Sequence, residues 1–467
     1  MCLFASSKQQ MKKKELLKLV DHLMSDNQQM QETIAILNET NRQLRLTIAE
    51  LLAKLEQHGP SKHSGNSSLP PSSDIVPRTK SLRKASGKKN GGQRGHEGST
   101  LKLSANPDFT KDIIPEACVI CGADLSEKQG ALAAYRQVID IPPVRPVITQ
   151  YNVFQKVCNC GVCTQSLFPE GVNAPVSYGQ GVESLVVYLS VRQLVPYSRL
   201  VEILRDNYSL ELSQGTIANI LKRFTAKAGA DHQQIKQNLL TSAVVGSDET
   251  GGKINGKKAW FHLWQNSLNT YIVCSDNRGS KTVDQEFPEG FPLATLVSDC
   301  WAAQLKTAAD SHQICLAHLL RELNYFQEAF SSDWAKELSE LFTGAIKLDN
   351  KGQLCDKQVV KLNRRLDKLL AKQLPDPPDK IAAFQKRLIK NREAVFRFLE
   401  HQDVPPTNNA SERAIRNITV KRKISGQFKS DWGANAYAVI RSVIDTAIKR
   451  NLNVMEQITI IANLTFD

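Results

Sequence analysis

Residues 243–250 read AVVGSDET and residues 294–301 read ATLVSDCW. Each is a short apolar run closed by an aspartate, Asp248 in the first and Asp299 in the second. Such runs, bounded by polar residues, predict buried strands. Between them, GGKINGKKAWFHLW (251–264) carries Asn255-Gly256 inside an alternating pattern, which predicts a hairpin turn. TYIVCSD (270–276) predicts a third strand and SKTVDQEF (280–287) a short helix.

Three antiparallel strands, a crossover helix and a fourth strand beside the first is the order of a ribonuclease H-like α/β fold. Its first and fourth strands are parallel neighbours about 4.8 Å apart, so Asp248 and Asp299 are expected at one sheet edge, where open α/β sheets hold ligands. A third acid, Glu412, stands near the start of the helical stretch ASERAIRNITVKRK (410–423). Three carboxylates converging from distant parts of a chain suit divalent metal, because hard oxygen ligands hold magnesium. Two such ions about 4 Å apart can activate an attacking oxygen and stabilise a leaving one. The expectation is phosphoryl transfer, with Asp248, Asp299 and Glu412 as metal ligands. Competing acids are Glu249, which should face the other side of its strand, and Asp276, Glu322 and Asp445.

Asp299 follows Asp248 by 51 residues and Glu412 follows Asp299 by 113. The second interval is charged and helical in period over about 333–401, which predicts a helical insertion. Cys315 and His318, three apart on a helix, are too few for a closed metal site. Arg413, Arg416, Lys421, Arg422 and Lys423 cluster beside Glu412 and are candidate contacts to a phosphate backbone.

Upstream, SRLVEILRDNY and QGTIANILKRF predict two helices, the second capped by Ser213. The pair resembles a helix-turn-helix, with Gln214, Thr216, Asn219 and Lys222 facing outward as candidate DNA contacts. Five of ten cysteines fall between Cys118 and Cys163. Cys118-x-x-Cys121-Gly122 and Cys158-x-Cys160-Gly161-x-Cys163 suggest two knuckles of a zinc ribbon joined by a hairpin in residues 135–157. By spacing the second pair is either Cys160 with Cys163 or Cys158 with Cys160.

Near the amino end, Leu16, Leu23, Met30, Leu37, Leu44 and Leu51 recur every seventh residue. Val20, Asn27, Ile34, Asn41, Ile48 and Leu55 form a second seam. This heptad pattern predicts a parallel two-stranded coiled coil of roughly 60 Å at 1.5 Å per residue. HSGNSSLPPSSD (63–74) carries too little apolar surface to fold. Residues 78–102 hold eight basic residues and one acidic one, suited to lie along phosphates. Overall, 60 Lys and Arg against 47 Asp and Glu give a net charge of +13, which points to a polyanionic partner. No apolar run approaches the ~18 residues that cross a bilayer, so a cytoplasmic protein without membrane contact is expected.

Taken together, HSGNSSLPPSSD, GKKNGGQRGHEGSTL, the cysteine pairs, SLFPEGVNAPVSYG, QLVPYSRLVEIL, SDETGGKINGKKAWFHLW, LVSDCWAA, CLAHLLREL and NNASERAIRNITVKRKISG resemble the IS-sixty-six family of bacterial insertion-sequence transposases. The resemblance covers nearly the whole chain. It implies a DDE transposase whose acidic triad matches Asp248, Asp299 and Glu412, with magnesium, or manganese in its place, as catalytic ion. It also favours Cys158 with Cys160 as the second zinc pair, and it allows for element-encoded accessory proteins. The chain departs from the family's common pattern at Leu316 and Arg94. The expected domains are a dimerising coil (1–58), a basic flexible tether (59–105), a zinc ribbon (106–172), a helical DNA-binding module (173–235), a catalytic domain (236–430) and a helical end (431–467). The expected function is cleavage at the inverted-repeat ends of an insertion sequence and transfer of those ends into target DNA. A catalytically inactive DNA-binding regulator and a ribonuclease H-like nuclease are the alternatives.

Overall fold

The computed structural model describes residues 2–58, 62–63, 65–66, 95–98, 101–350 and 352–464. Most of the basic segment 78–102, including Arg94, lies outside the described residues, as do the side chains of Leu51 and Leu55. Helix α1 spans Cys2–His58, longer than the six heptads require. Its seam residues stand out to solvent: Leu16, Leu23, Met30, Leu37 and Leu44 are all more than half exposed.

Of HSGNSSLPPSSD only residues 63, 65 and 66 are described, and these differ from the expectation, while the rest of the stretch lies outside the described residues. Asn66 is buried, and its side chain and His63 Nε2 both meet Glu328 Oε2, at 2.7 and 3.0 Å. Asn324 donates to the Gly65 carbonyl. Hydrogen bonds to a helix order this turn where apolar area could not.

The cysteine segment also differs from expectation. Its only hairpin pairs β1 (Gln155–Val157) with β2 (Cys163–Gln165), inside the second knuckle. The linking residues 135–154 form no strand. Pro142, Pro143 and Pro146 lack the N–H a ladder needs.

The chain divides into two compact units, one of Thr79–His312 with Asn408–Asp467, built on the sheet, and one of Met1–Arg78 with Gln313–Thr407. In the first, helices α2 (Gln180–Val187), α3 (Tyr197–Tyr208), α4 (Gln214–Lys227) and α5 (Gly229–Leu240) lead into the sheet. Ser213 caps α4 by accepting from Thr216 N–H at 3.0 Å, as its sequence predicts. The strands are β3 (Val244–Ile254), β4 (Lys257–Gln265), β5 (Thr270–Ser275), β6 (Phe291–Ser298) and β7 (Ala309–Ile314), in spatial order β5-β4-β3-β6-β7. β3, β4 and β5 pair antiparallel, and β6 returns parallel to β3. Asn255 and Gly256 both have positive φ at the two-residue β3–β4 turn, the backbone a primed hairpin turn requires. Helices α6 (Ser280–Glu286) and α7 (Ala302–Lys306) flank β6. β7 was not foreseen, because ADSHQI is too polar to signal a strand.

The second unit holds α8 (Leu316–Phe330), α9 (Asp333–Asp349), α10 (Asp356–Leu370) and α11 (Asp379–Lys390), the last three within the 333–401 stretch whose period predicts helices. The chain then returns to the sheet unit as α12 (Asn409–Ser425), α13 (Asp431–Lys449) and α14 (Val454–Ala462). One core joins Ile217, Ile220 and Phe224 of α4, Phe261 and Leu263 of β4, and Ile440 and Ile444 of α13. The helices of 173–235 thus share their core with the sheet.

Candidate active site

β3 and β6 are in register from Val244↔Thr295 to Gly246↔Val297. The same offset carried on sets Asp248 opposite Asp299, just past the last paired residues. Side chains alternate along β3, so Asp248 shares a face with Leu263 and Glu249 shares the other with His262. That separation of the two adjacent acids is the one the sequence predicts.

Glu412 is carried to β3 by the start of α12. Asn408, immediately before the helix, donates from Nδ2 to the Ser247 carbonyl at 2.7 Å. Ser411 Oγ donates to Asn408 Oδ1 at 2.6 Å, and Gln265 Nε2 donates to Ser411 Oγ at 3.3 Å. This buried polar knot pins the first turn of α12 on β3. Gly246 permits the approach, since a Cβ there would lie 2.6 Å from both Ser411 Oγ and Gln265 Nε2. Glu412 stands in that first turn, where the helix dipole favours a carboxylate.

Burial, more than any other influence, raises the Asp248 carboxyl well above the ordinary range. The negative charges of Glu249, Asp299 and Glu412 push the same way, against the Glu249 N–H that donates to Asp248 Oδ1 at 2.8 Å. Added positive charge, which a divalent cation brings, would stabilise the anion of a half-buried acid surrounded by acids. The donor set fits magnesium or manganese.

The other acids are otherwise engaged. Glu249 pairs with Arg278 at 2.9 Å. Asp445 is buried against Arg441 at 2.5 Å on α13 and is not available as a ligand. Glu322 is held by Arg387 in the helical insertion. Asp276 is exposed. Cys315 and His318 lie at the start of α8, Cys315 buried and His318 half-buried, beside Leu316, which is fully buried.

Among the cations, Arg413, Arg416 and Lys423 are exposed along α12, at spacings that share a helix face. Two of the five differ from expectation. Lys421 is half-buried, and that burial lowers its pKa. Arg422 donates to the Gly251 carbonyl at 2.5 Å and ties α12 to β3. On α4, Gln214, Asn219 and Lys222 are exposed, while Thr216 is half-buried with its hydroxyl 3.0 Å from Ser213 Oγ. Thr216 therefore serves the cap.

The cysteine knuckles are formed locally. Cys118 N–H donates to Ala123 O and Gly122 N–H to Cys118 O, at 2.9 and 2.8 Å. Cys158 N–H donates to Val162 O and Gly161 N–H to Cys158 O, both at 2.8 Å. Gly122 and Gly161 take positive φ, as the turns demand. The Cys118 thiol is lowered in pKa by the backbone N–H of Cys121 and the Cys158 thiol by that of Cys160, the arrangement that stabilises a thiolate. No three of the five thiols gather within 4.8 Å of one another.

Gly246, Asn408 and Ser411 were missed at the level of sequence. Asn408 carried a signal, since Asn before a helical run is a common cap, yet its side chain is spent on β3 instead. No helix among the described residues is long and apolar enough to cross a membrane. The family model for the IS66 family of transposases matches residues 175–436. No curated protein matches the chain.

Proposed function

The chain belongs to the IS66 transposase family, and on that premise we propose that it cuts and joins DNA at a metal site formed by Asp248, Asp299 and Glu412 on a ribonuclease H-like sheet. The reading is supported by the β3–β6 register, whose offset carried two residues on would bring Asp248 opposite Asp299, and by the negative charges of Asp299 and Glu412, which help to raise the Asp248 carboxyl. Bound magnesium or manganese would neutralise the phosphate in flight and activate the attacking oxygen. The protein's part would be to present three carboxylates from the middle of β3, the loop after β6 and the first turn of α12. Arg413, Arg416 and Lys423 would lie along the DNA backbone, with Gln214, Asn219 and Lys222 as further DNA contacts.

The substrate in this reading is the inverted-repeat end of the element, with target DNA as acceptor and element-encoded accessory proteins as allowed helpers. The exposed seam of α1 would pair two protomers so that both ends enter one complex. Zinc held by Cys118, Cys121, Cys158 and Cys160, with Cys163 as the substitute ligand, would close the two knuckles. Asp299→Ala tests the catalytic assignment. Binding of a DNA fragment carrying the element end should persist within about twofold, while strand transfer should fall by at least about a thousandfold, as for loss of a main electrostatic element. Undiminished strand transfer would remove the assignment.

A further inference from the structure

The pairing of β3 with β6 stops at Gly246↔Val297, two residues before each aspartate. Asp248 is still held past that point, because β3 stays paired with β4 through Ile254. Asp299 has no such ladder. What fixes it instead is the backbone N–H of Trp301, which donates to Asp299 Oδ1 at 2.9 Å.

Trp301 is itself fixed by a cation. The Arg278 guanidinium carbon lies 4.8 Å from the Trp301 ring centroid and 4.8 Å from that of Trp260, so the charge is packed against both indoles. Its Nε and Nη2 both donate to Glu249 Oε1, at 3.2 and 2.9 Å. The Glu249 side chain is 4% exposed and that of Arg278 is 47% exposed. Trp260 belongs to β4 and is paired with Gly251, and Glu249 follows Asp248 on β3. One guanidinium thus touches β3, β4 and the loop after β6.

The loop carrying Arg278 is tied down by hydrogen bonds. His262 Nε2 lies 2.9 Å from the Asn277 carbonyl, and Thr282 Oγ1 donates to that same oxygen at 3.0 Å. Gly279 N–H donates to Asn277 Oδ1. Its ion pair with Glu249 offsets the charge, which argues against a phosphate contact and for a brace.

We infer that Arg278 is a positioning residue that ties the loop carrying Asp299 to β3 and β4 beyond the point where β6 stops pairing with β3, presetting Asp299 for metal. A planar guanidinium can stack on indole faces while donating edge-on to a carboxylate, which an ammonium cannot do. Supporting groups of this kind typically change metal affinity about 10- to 100-fold when removed. The inference rests on the acidic-triad reading above.

The test is Mn2+ binding to the full-length protein by isothermal titration without DNA, at a temperature where circular dichroism matches wild type. Arg278→Ala should weaken Mn2+ binding about tenfold, with binding to an element-end fragment in metal-free buffer within twofold of wild type. Arg278→Lys should resemble Arg278→Ala. Trp301→Leu keeps the backbone N–H but removes one stacking face, and should weaken Mn2+ about threefold; it stands in if Arg278→Ala does not fold. Mn2+ affinity within twofold of wild type in the folded variants overturns the brace. Asp299→Ala is the control and should lose Mn2+ binding. If it does not, the triad itself is wrong and the brace falls with it; if it does while the Arg278 variants bind normally, only the brace is lost.

Discussion

Gly246 and Ser411 are 165 positions apart in sequence, yet a methyl group on Gly246 would come within 2.6 Å of Ser411 Oγ. The contact sets how closely the first turn of α12, and therefore Glu412, approaches β3. Gly246→Ala should force that turn outward. Overpacking of this kind typically destabilises by about 1–3 kcal/mol, so thermal unfolding should shift down by several degrees. Strand transfer should drop more steeply than stability, because Glu412 moves with the helix. Adding Ser411→Ala, which deletes one of the two closest atoms, should recover part of both; an active, fully stable Gly246→Ala protein would show that the approach is not needed.

His232 predicts a particular acid sensitivity. It is buried on α5, its Nε2 is 3.1 Å from the Ile272 carbonyl, and its ring stacks on Tyr271 at 4.4 Å between centroids. Burial lowers its pKa from 6.5 to about 4. The folded protein therefore keeps the ring neutral while the unfolded chain takes up a proton as pH falls below 6.5. The associated stability is complete above that point, is lost as pH falls from 6.5 to about 4, and changes no further below. The loss amounts to at most about 3 kcal/mol. Denaturant midpoints at pH 7 and pH 4.5 should differ less in His232→Gln than in wild type; equal pH slopes would rule this out.

The knuckles predict about one zinc ion per chain, measured on purified protein by elemental analysis. Cys118→Ser and Cys158→Ser should each lower that content towards zero, and Cys163→Ser should leave it unchanged. Retention in Cys158→Ser together with loss in Cys163→Ser would instead make Cys160 with Cys163 the second pair. A protein that never contains zinc would remove the site.

Asn27 and Asn41 fall on the heptad seam of α1. In a two-stranded coil a buried amide limits strand number and register at a cost in stability. Replacing both with Leu should raise the melting temperature of the coil while turning a single species into a mixture of larger oligomers by light scattering. A monomeric wild-type protein at micromolar concentration would exclude the coil.

The β3–β4 hairpin, the crossover helix, β6 and the cap at Ser213 were legible because each is written locally. Asn255-Gly256 permits only a narrow set of turns, and apolar runs of strand length ending in Asp leave few alternatives. The helical insertion was legible for the same reason, through its period. Residues 63–66 and the cysteine linker were misjudged. In the first, hydrogen bonds to Asn324 and Glu328, far along the chain, supply the order; in the second, prolines outweigh the β-branched residues around them.

For this protein the order of amino acids alone determined the strand order from β3 to β6, the candidate acids, the cysteine spacing and the heptad seam. All of these follow from periodicity and backbone preference within a few turns of chain. Only the tertiary structure decided that Asp445 is consumed by Arg441, that Lys421 and Thr216 turn inward, and that Gly246 makes room for Ser411. It alone brought Arg278 between Trp260 and Trp301. Those outcomes depend on which groups meet across long stretches of chain, where burial and steric contact act between residues whose local sequences contain no trace of one another.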